Sequence, residues 1–146
     1  MSVSFINKLF KSKSNDDFCT AVVLAAGNSQ RMGKDKILMP LGGAPVIAHT
    51  LKALQSAECI DEIVVVTKYE RLQELADICH DHGISKASKV VVGGKTRLES
   101  SLIGVSNADE RAKYIAIHDG ARPFVTNSLI CLLYTSPSPR DGATSR

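Results

Sequence analysis

Residues 21–41 read AVVLAAGNSQRMGKDKILMPL, and this stretch decides the fold. It opens on Ala21-Val22-Val23-Leu24, an apolar run of the length of a buried strand. The run gives way to Ala25-Ala26-Gly27-Asn28-Ser29, small residues that let a backbone approach a ligand closely. Three cations follow, Arg31, Lys34 and Lys36, with Asp35 as the acid among them. A strand, then small residues, then long basic side chains suits a polyphosphate. Main-chain N–H groups surround the anion and the cations neutralise it. The same pattern also describes a plain strand-to-helix connection with incidental surface lysines. Spacing excludes two common phosphate loops. G-x-x-x-x-G-K-[ST] fails because Met32 stands where its second glycine belongs. G-x-G-x-x-G fails because Ser29 and Met32 occupy glycine positions.

Outward from this stretch, apolar spacing alternates between strand and helix. A first strand is expected over residues 19–24. Leu41-Gly42-Gly43-Ala44-Pro45 reads as a turn with proline near a helix start, and Val46, Ile47, Leu51 and Leu54 recur at helical spacing over 45–57. Ile63-Val64-Val65-Val66 marks a buried strand within 61–67. Residues 70–81 carry Leu72, Leu75, Ala76 and Cys79 on one helical side, with Gly83 placed to end the helix. Residues 89–92 form a third strand. A helix starting at Thr96 or Arg97 is expected to face Leu98, Leu102 and Val105 inward, and residues 114–117 form a fourth strand. This rhythm predicts parallel strands joined by right-handed crossovers. The fold class is therefore α/β, a Rossmann-like open, mostly parallel sheet with flanking helices. Ligands in such sheets sit beyond the carboxyl ends of the strands, so segments following the first, third and fourth strands should converge on one crevice.

Bulk properties narrow the function classes. A chain of 146 residues makes one ordinary domain. No apolar run approaches the ~20 residues of a membrane helix, and the N-terminus lacks the apolar core of a secretory signal. Cys19, Cys59, Cys79 and Cys131 are scattered without a C-x-x-C pair, which reads as reduced thiols in a cytoplasmic protein. Basic residues are dispersed and aromatics few, which argues against nucleic acid as a partner. His80 and His82 flank Asp81 near a helix end, where dipole and solvent explain them better than a metal. Residues 1–17 read as a flexible N-terminal extension. Phe5, Ile6, Leu9 and Phe10 would nonetheless share one side of a short helix, suited to a membrane surface or a partner. Residues 18–130 are expected to form the α/β domain. Residues 131–146 are turn-rich, lack a period, and are set apart as a non-native or disordered tail.

Three motifs carry a resemblance. L-A-A-G-x-S-x-R-M-G followed by K-x-x-x-P-L, over residues 24–41, resembles the signature loop of nucleotidyltransferases that activate sugars and sugar alcohols. V-G-G-K-T-R-L-E-S at 92–100 and H-D-G-A-R-P at 118–123 are similar to the other two motifs of the methylerythritol phosphate cytidylyltransferases. The resemblance spans residues 18–130 and implies an incomplete domain of the nucleotide-diphospho-sugar transferase type, lacking its C-terminal part.

The implied reaction is attack by the phosphate of 2-C-methyl-D-erythritol 4-phosphate on the α-phosphorus of CTP, with release of pyrophosphate. Arg31 and Lys36 match the family's catalytic cations. Leu24, Ala25, Ala26, Gly27, Asn28 and Ser29 match its nucleotide loop. Gly94, Lys95 and Ser100 match its base-contacting positions, with Arg97 orienting that loop and Gly120 and Ala121 adjoining the nucleotide. Asp119 matches a ligand of Mg²⁺ and, with Arg122, a substrate contact. Family members often carry an acid where Lys95 stands. Lys34 matches no demanded cation. CTP and a polyol phosphate are the implied partners, and the full-length protein is expected to form a homodimer. A ribitol or other polyol phosphate cytidylyltransferase, a sugar or molybdopterin nucleotidyltransferase using GTP, and a non-catalytic nucleotide-binding module share parts of this pattern. The 146 residues alone are expected to bind CTP weakly and not to turn over.

Overall fold

The computed structural model describes residues 17–27 and 35–124. The N-terminal extension before residue 17, Asn28, Ser29, Arg31 and Lys34 of the first loop, and the tail at 131–146 lie outside the described residues. The elements are β1 (Cys19–Ala25), β2 (Pro40–Leu41), β3 (Ala44–Pro45), α1 (Val46–Ser56), β4 (Glu62–Thr67), α2 (Leu72–Asp81), β5 (Ala87–Val92), α3 (Arg97–Ser106) and β6 (Tyr114–Asp119). Single 3₁₀ turns, Lys36–Leu38 and Tyr69–Arg71, precede β2 and α2.

Four strands form one parallel sheet in the order β5-β4-β1-β6. β1 and β4 are buried along their whole length, which explains their unbroken apolar and β-branched sequences. On one face, Ala21, Val23, Ile63 and Val65 pack under Ile47, Leu51 and Leu54 of α1 and Leu75 of α2. The opposite face is thinner, with Val22, Leu24, Val64 and Val66 beneath α3. The chain winds outward from β1 to β4 and β5, then crosses back to place β6 on the other side of β1. The strand order therefore reverses between β1 and β6, and the crevice at such a reversal is where ligands bind.

Three expectations need correction. Leu98, Leu102 and Val105 do not face inward; they are 68%, 60% and 39% exposed. Ser100 and Gly104 instead turn toward the sheet and are the buried residues of α3. A Cβ at Gly104 would overlap Val22 Cγ1, so this glycine lets the helix lie close to the sheet. The segment between Leu41 and Pro45 is more than a turn. It is an antiparallel pairing of β2 with β3 across Gly42 and Gly43, both at positive φ. β5 and β6 are also longer than their apolar cores, beginning at Ala87 and ending at Asp119 respectively.

The amino end of the sheet is tied by Glu62, which is 6% exposed. Its carboxylate accepts hydrogen bonds from Thr20 Oγ1 at 2.7 Å, Ser88 Oγ at 2.5 Å and the Asp109 N–H at 2.9 Å. These donors lie in β1, in β5 and in the loop between α3 and β6, so one buried acid ties β4 to two strands and to the chain that leads into the last. Burial alone would push the Glu62 carboxyl up. The donors from Ser88, Asp109 and Thr20 outweigh it and hold the group below its usual range. No helix among the described residues is long and apolar enough to cross a membrane.

Candidate functional site

The parallel register brings the three motif segments to one edge. Leu24 is level with Asp119, Ala25 with Thr67, and Thr67 with Val92. Gly27, Gly93 and Gly120 therefore leave β1, β5 and β6 at the same carboxyl end. The turns are bonded across strands. The Gly93 N–H donates to Thr67 O at 2.8 Å, the Gly120 N–H to Leu24 O at 2.9 Å, and Thr67 Oγ1 to Ala25 O at 3.2 Å. A Cβ on Gly93 would come within 3.0 Å of Ala26 Cβ, so the first and third strand ends touch.

In the first segment, Leu24 and Ala25 are buried, Ala26 is half-buried and Gly27 exposed. Lys36 is exposed on its 3₁₀ turn, beside the buried Ile37. Asp35, which offsets charge in the sequence, forms a specific ion pair: Arg71 Nη2 lies 2.9 Å from its Oδ2. The following chain is anchored by the Val46 N–H, which donates to Met39 O at 2.9 Å.

The second segment is shaped by the start of α3. Thr96 caps the helix, accepting the Glu99 N–H at 3.1 Å, while the Glu99 carboxylate accepts the Lys95 N–H at 2.6 Å. Ser100, 4% exposed, accepts the Gly94 N–H through Oγ at 3.1 Å. A Cβ on Gly94 would run into the Glu99 side chain, so the loop closes on its own helix only with glycine there. Lys95 and Arg97 are exposed above this frame. Glu99 was not among the residues singled out from sequence, although T-x-x-E before an apolar run is a readable capping pattern.

The third segment turns sharply after β6. Asp119 Oδ1 accepts the Ala121 N–H at 3.0 Å and Asp119 O accepts the Arg122 N–H at 3.2 Å. Thr50 of α1 donates to Gly120 O at 2.8 Å, and a Cβ on Gly120 would meet Ile47 Cδ1 at 2.7 Å. Thr50 thus fixes this turn from below, a role carried by no sequence motif. His118 places Nε2 3.3 Å from Arg122 O, consistent with a strand-end structural residue. Arg122 is exposed.

No cluster of three His, Cys, Asp or Glu occurs among the described residues. A cation caged wholly by protein does not match this donor set. One that keeps water and substrate oxygens around a single carboxylate does, and Asp119 offers that carboxylate. His80 is 90% exposed in its side chain, close to Asp81. A concavity of about 690 Å³ lies elsewhere, between α2 and β5, lined by Ala76, Cys79, Ser88 and Val90 among others.

An open parallel sheet whose reversal-point loops present glycines, exposed cations and one carboxylate defines a Rossmann-like, nucleotide-binding class of protein. Comparison with known proteins narrows the class. The family model IspD, 2-C-methyl-D-erythritol 4-phosphate cytidylyltransferase, matches residues 19–144, and the chain belongs to that family. The 2-C-methyl-D-erythritol 4-phosphate cytidylyltransferase of Clostridium tetani is 38% identical over 112 residues, covering 75% of this chain and 45% of its own. That of Halalkalibacterium halodurans is 37% identical over 113 residues, covering 76% and 49%. Among solved structures, the 4-diphosphocytidyl-2C-methyl-D-erythritol synthase of Anaerococcus prevotii superposes with a TM-score of 0.68 at 26% identity, over 80% of this chain and 49% of that one. The chain thus spans about half the length of the curated relatives it matches.

Proposed function

We propose that the protein to which these residues belong transfers a cytidylyl group from CTP to 2-C-methyl-D-erythritol 4-phosphate in non-mevalonate isoprenoid synthesis. A single observation carries this reading: all three motif segments leave the sheet at one carboxyl edge, two of them flanking the strand-order reversal. A phosphate oxygen of the alcohol substrate attacks the α-phosphorus of CTP, the bond to the bridging oxygen breaks, and pyrophosphate departs. Such transfer needs alignment and positive charge more than covalent help. Lys36 supplies a compact charge to oxygens that gain electron density, and Arg31 supplies a planar fork. Main-chain groups of residues 24–29 surround the triphosphate. Gly94, Lys95 and Ser100 read the base. The Ser100 hydroxyl accepts from the Gly94 amide and keeps its own proton to donate. Arg97 steadies that loop, Gly120 and Ala121 line the nucleotide, and Arg122 meets the alcohol phosphate.

Asp119 is the residue that would hold Mg²⁺. When bound, the ion draws charge from phosphate oxygens and lowers their mutual repulsion. A cytoplasmic homodimer is part of the same reading. Three buried, unbridged thiols at Cys19, Cys59 and Cys79 support the reducing compartment, and sedimentation of the full-length protein tests the dimer.

Calorimetric titration of the 146-residue chain with CTP, UTP, ATP and GTP in Mg²⁺ buffer tests the site. Selective CTP binding that weakens about tenfold or more in Lys36→Ala is expected. Equal affinity in the variant, or preference for a purine nucleotide, overturns the reading. Pyrophosphate release by the full-length protein tests the reaction, and substituting ribitol 5-phosphate for the alcohol tests the substrate.

A further inference from the structure

Resting on the reading of Lys36 as a phosphate-binding cation, we propose that Arg71 is a positioning residue for it, acting through Asp35. Asp35 sits at the N-cap of the 3₁₀ turn that carries Lys36. An aspartate there ordinarily accepts an N–H of its own turn. Asp35 makes no such bond. Its carboxylate instead turns to Arg71 Nη2, 2.9 Å away, with the two side chains only 12% and 31% exposed. A local cap is given up for a contact reaching 36 positions along the chain.

The guanidinium is itself held. Its Nη1 donates to Glu74 Oε1 at 2.8 Å, and the Arg71 N–H donates to Lys68 O at 2.9 Å within the turn that follows β4. One planar fork thus grips two carboxylates, which a single ammonium cannot do in the same geometry. On the other side of Lys36, Ile37 is buried in the core. Lys36 therefore stands between two fixed neighbours, Asp35 clamped from the turn after β4 and Ile37 sunk beneath it. A long, flexible side chain gains most from a fixed origin, because each main-chain degree of freedom removed narrows the volume its ammonium searches. A single ion pair whose guanidinium is partly open to solvent contributes little to global stability. Its consequence is local: it binds the chain that carries Lys36 to the end of a central strand.

The test uses the 146-residue chain with two readouts, amide hydrogen exchange at residues 35–39 and calorimetric affinity for CTP. Arg71→Ala should speed exchange at 35–39 about tenfold, leave β1 and β4 protected, and weaken CTP binding about fivefold. Arg71→Lys should recover roughly half of the lost binding energy, since one ammonium can still reach Asp35. Gln73→Ala, which breaks only the Gln73–Asp77 bond on the same helix, should change neither readout. If Arg71→Ala does not fold, Asp35→Asn removes the same pair from the other side and should give the same two effects. Unchanged exchange at 35–39 in Arg71→Ala or Asp35→Asn overturns the proposal. So does unchanged CTP affinity in those variants while Lys36→Ala loses it. If Lys36→Ala binds CTP as tightly as the unaltered chain, the reading of Lys36 itself fails and the positioning role falls with it.

Discussion

The two ends of the sheet are held in different ways. At the amino end, carboxylates tie the strands together. Glu62 takes three donors from three segments, Asp61 Oδ2 accepts the Cys19 N–H, and Arg111 pairs with Asp109 while lying 4.5 Å over the Phe18 ring. At the carboxyl end, three hydroxyls hold the strand ends, and the carboxylates of Asp35, Glu99 and Asp119 hold the loops beyond them. Thr67, Thr50 and Ser100 hold Ala25, Gly120 and Gly94, while Lys36, Lys95, Arg97 and Arg122 remain at the surface. The difference teaches that stability and ligand binding are anchored at opposite poles and should respond to different substitutions.

The strongest way to break this contrast is Glu62→Ala. It strands three donors in a buried site and should cost about 3 kcal/mol in chemical denaturation, while CTP affinity in the surviving folded protein stays within about twofold. A large loss of affinity at constant stability would show that the poles are not separate. Gly104→Ala comes next, because its methyl group has to displace Val22 or lift α3. A cost of about 1–3 kcal/mol is expected, with weaker CTP binding because α3 carries the Gly94 loop. Thr96→Ala removes a helix cap at the carboxyl end. About 1 kcal/mol of stability should go with it, and faster amide exchange at 93–95 should accompany the change.

The smallest effect is on pH dependence. The folded Glu62 carboxyl titrates below its ordinary value of 4.5, so the unfolded chain takes up this proton first as pH falls. The stability it contributes is complete above about pH 4.5 and fades as pH drops through the lower, folded value. Melting curves between pH 6 and 3 should fall less steeply in Glu62→Gln. An identical slope would place the acid sensitivity elsewhere; Asp109, held at about 2 by Arg111, is one alternative.

Most of the sheet was legible because two strands buried on both faces must be apolar throughout, as at 21–24 and 63–66. The start of β5 was not. Ala87 and Ser88 lack strand propensity; Ala87 pairs with Ile63, and Ser88, at a register shift, is held because Glu62 takes its hydroxyl. The inward face of α3 was misread for a related reason. Leu98, Leu102 and Val105 make the stronger apolar stripe, but close approach to the sheet selects the stripe with the smallest side chains, Ser100 and Gly104. At the site, glycines and cations announce themselves by type and spacing. Arg71, Thr50 and Glu99 do not, since each acts through a partner that only the folded chain supplies.

Gly104 has one more consequence. A helix seated a methyl radius nearer the sheet carries its own first turn down with it, and with that turn the loop whose Gly93 meets Ala26. The jaw between the first and third strand ends is thus gauged from eleven residues away, on the far end of a helix. Any side chain at position 104 would act as a shim, opening that jaw before a single residue along its rim had changed.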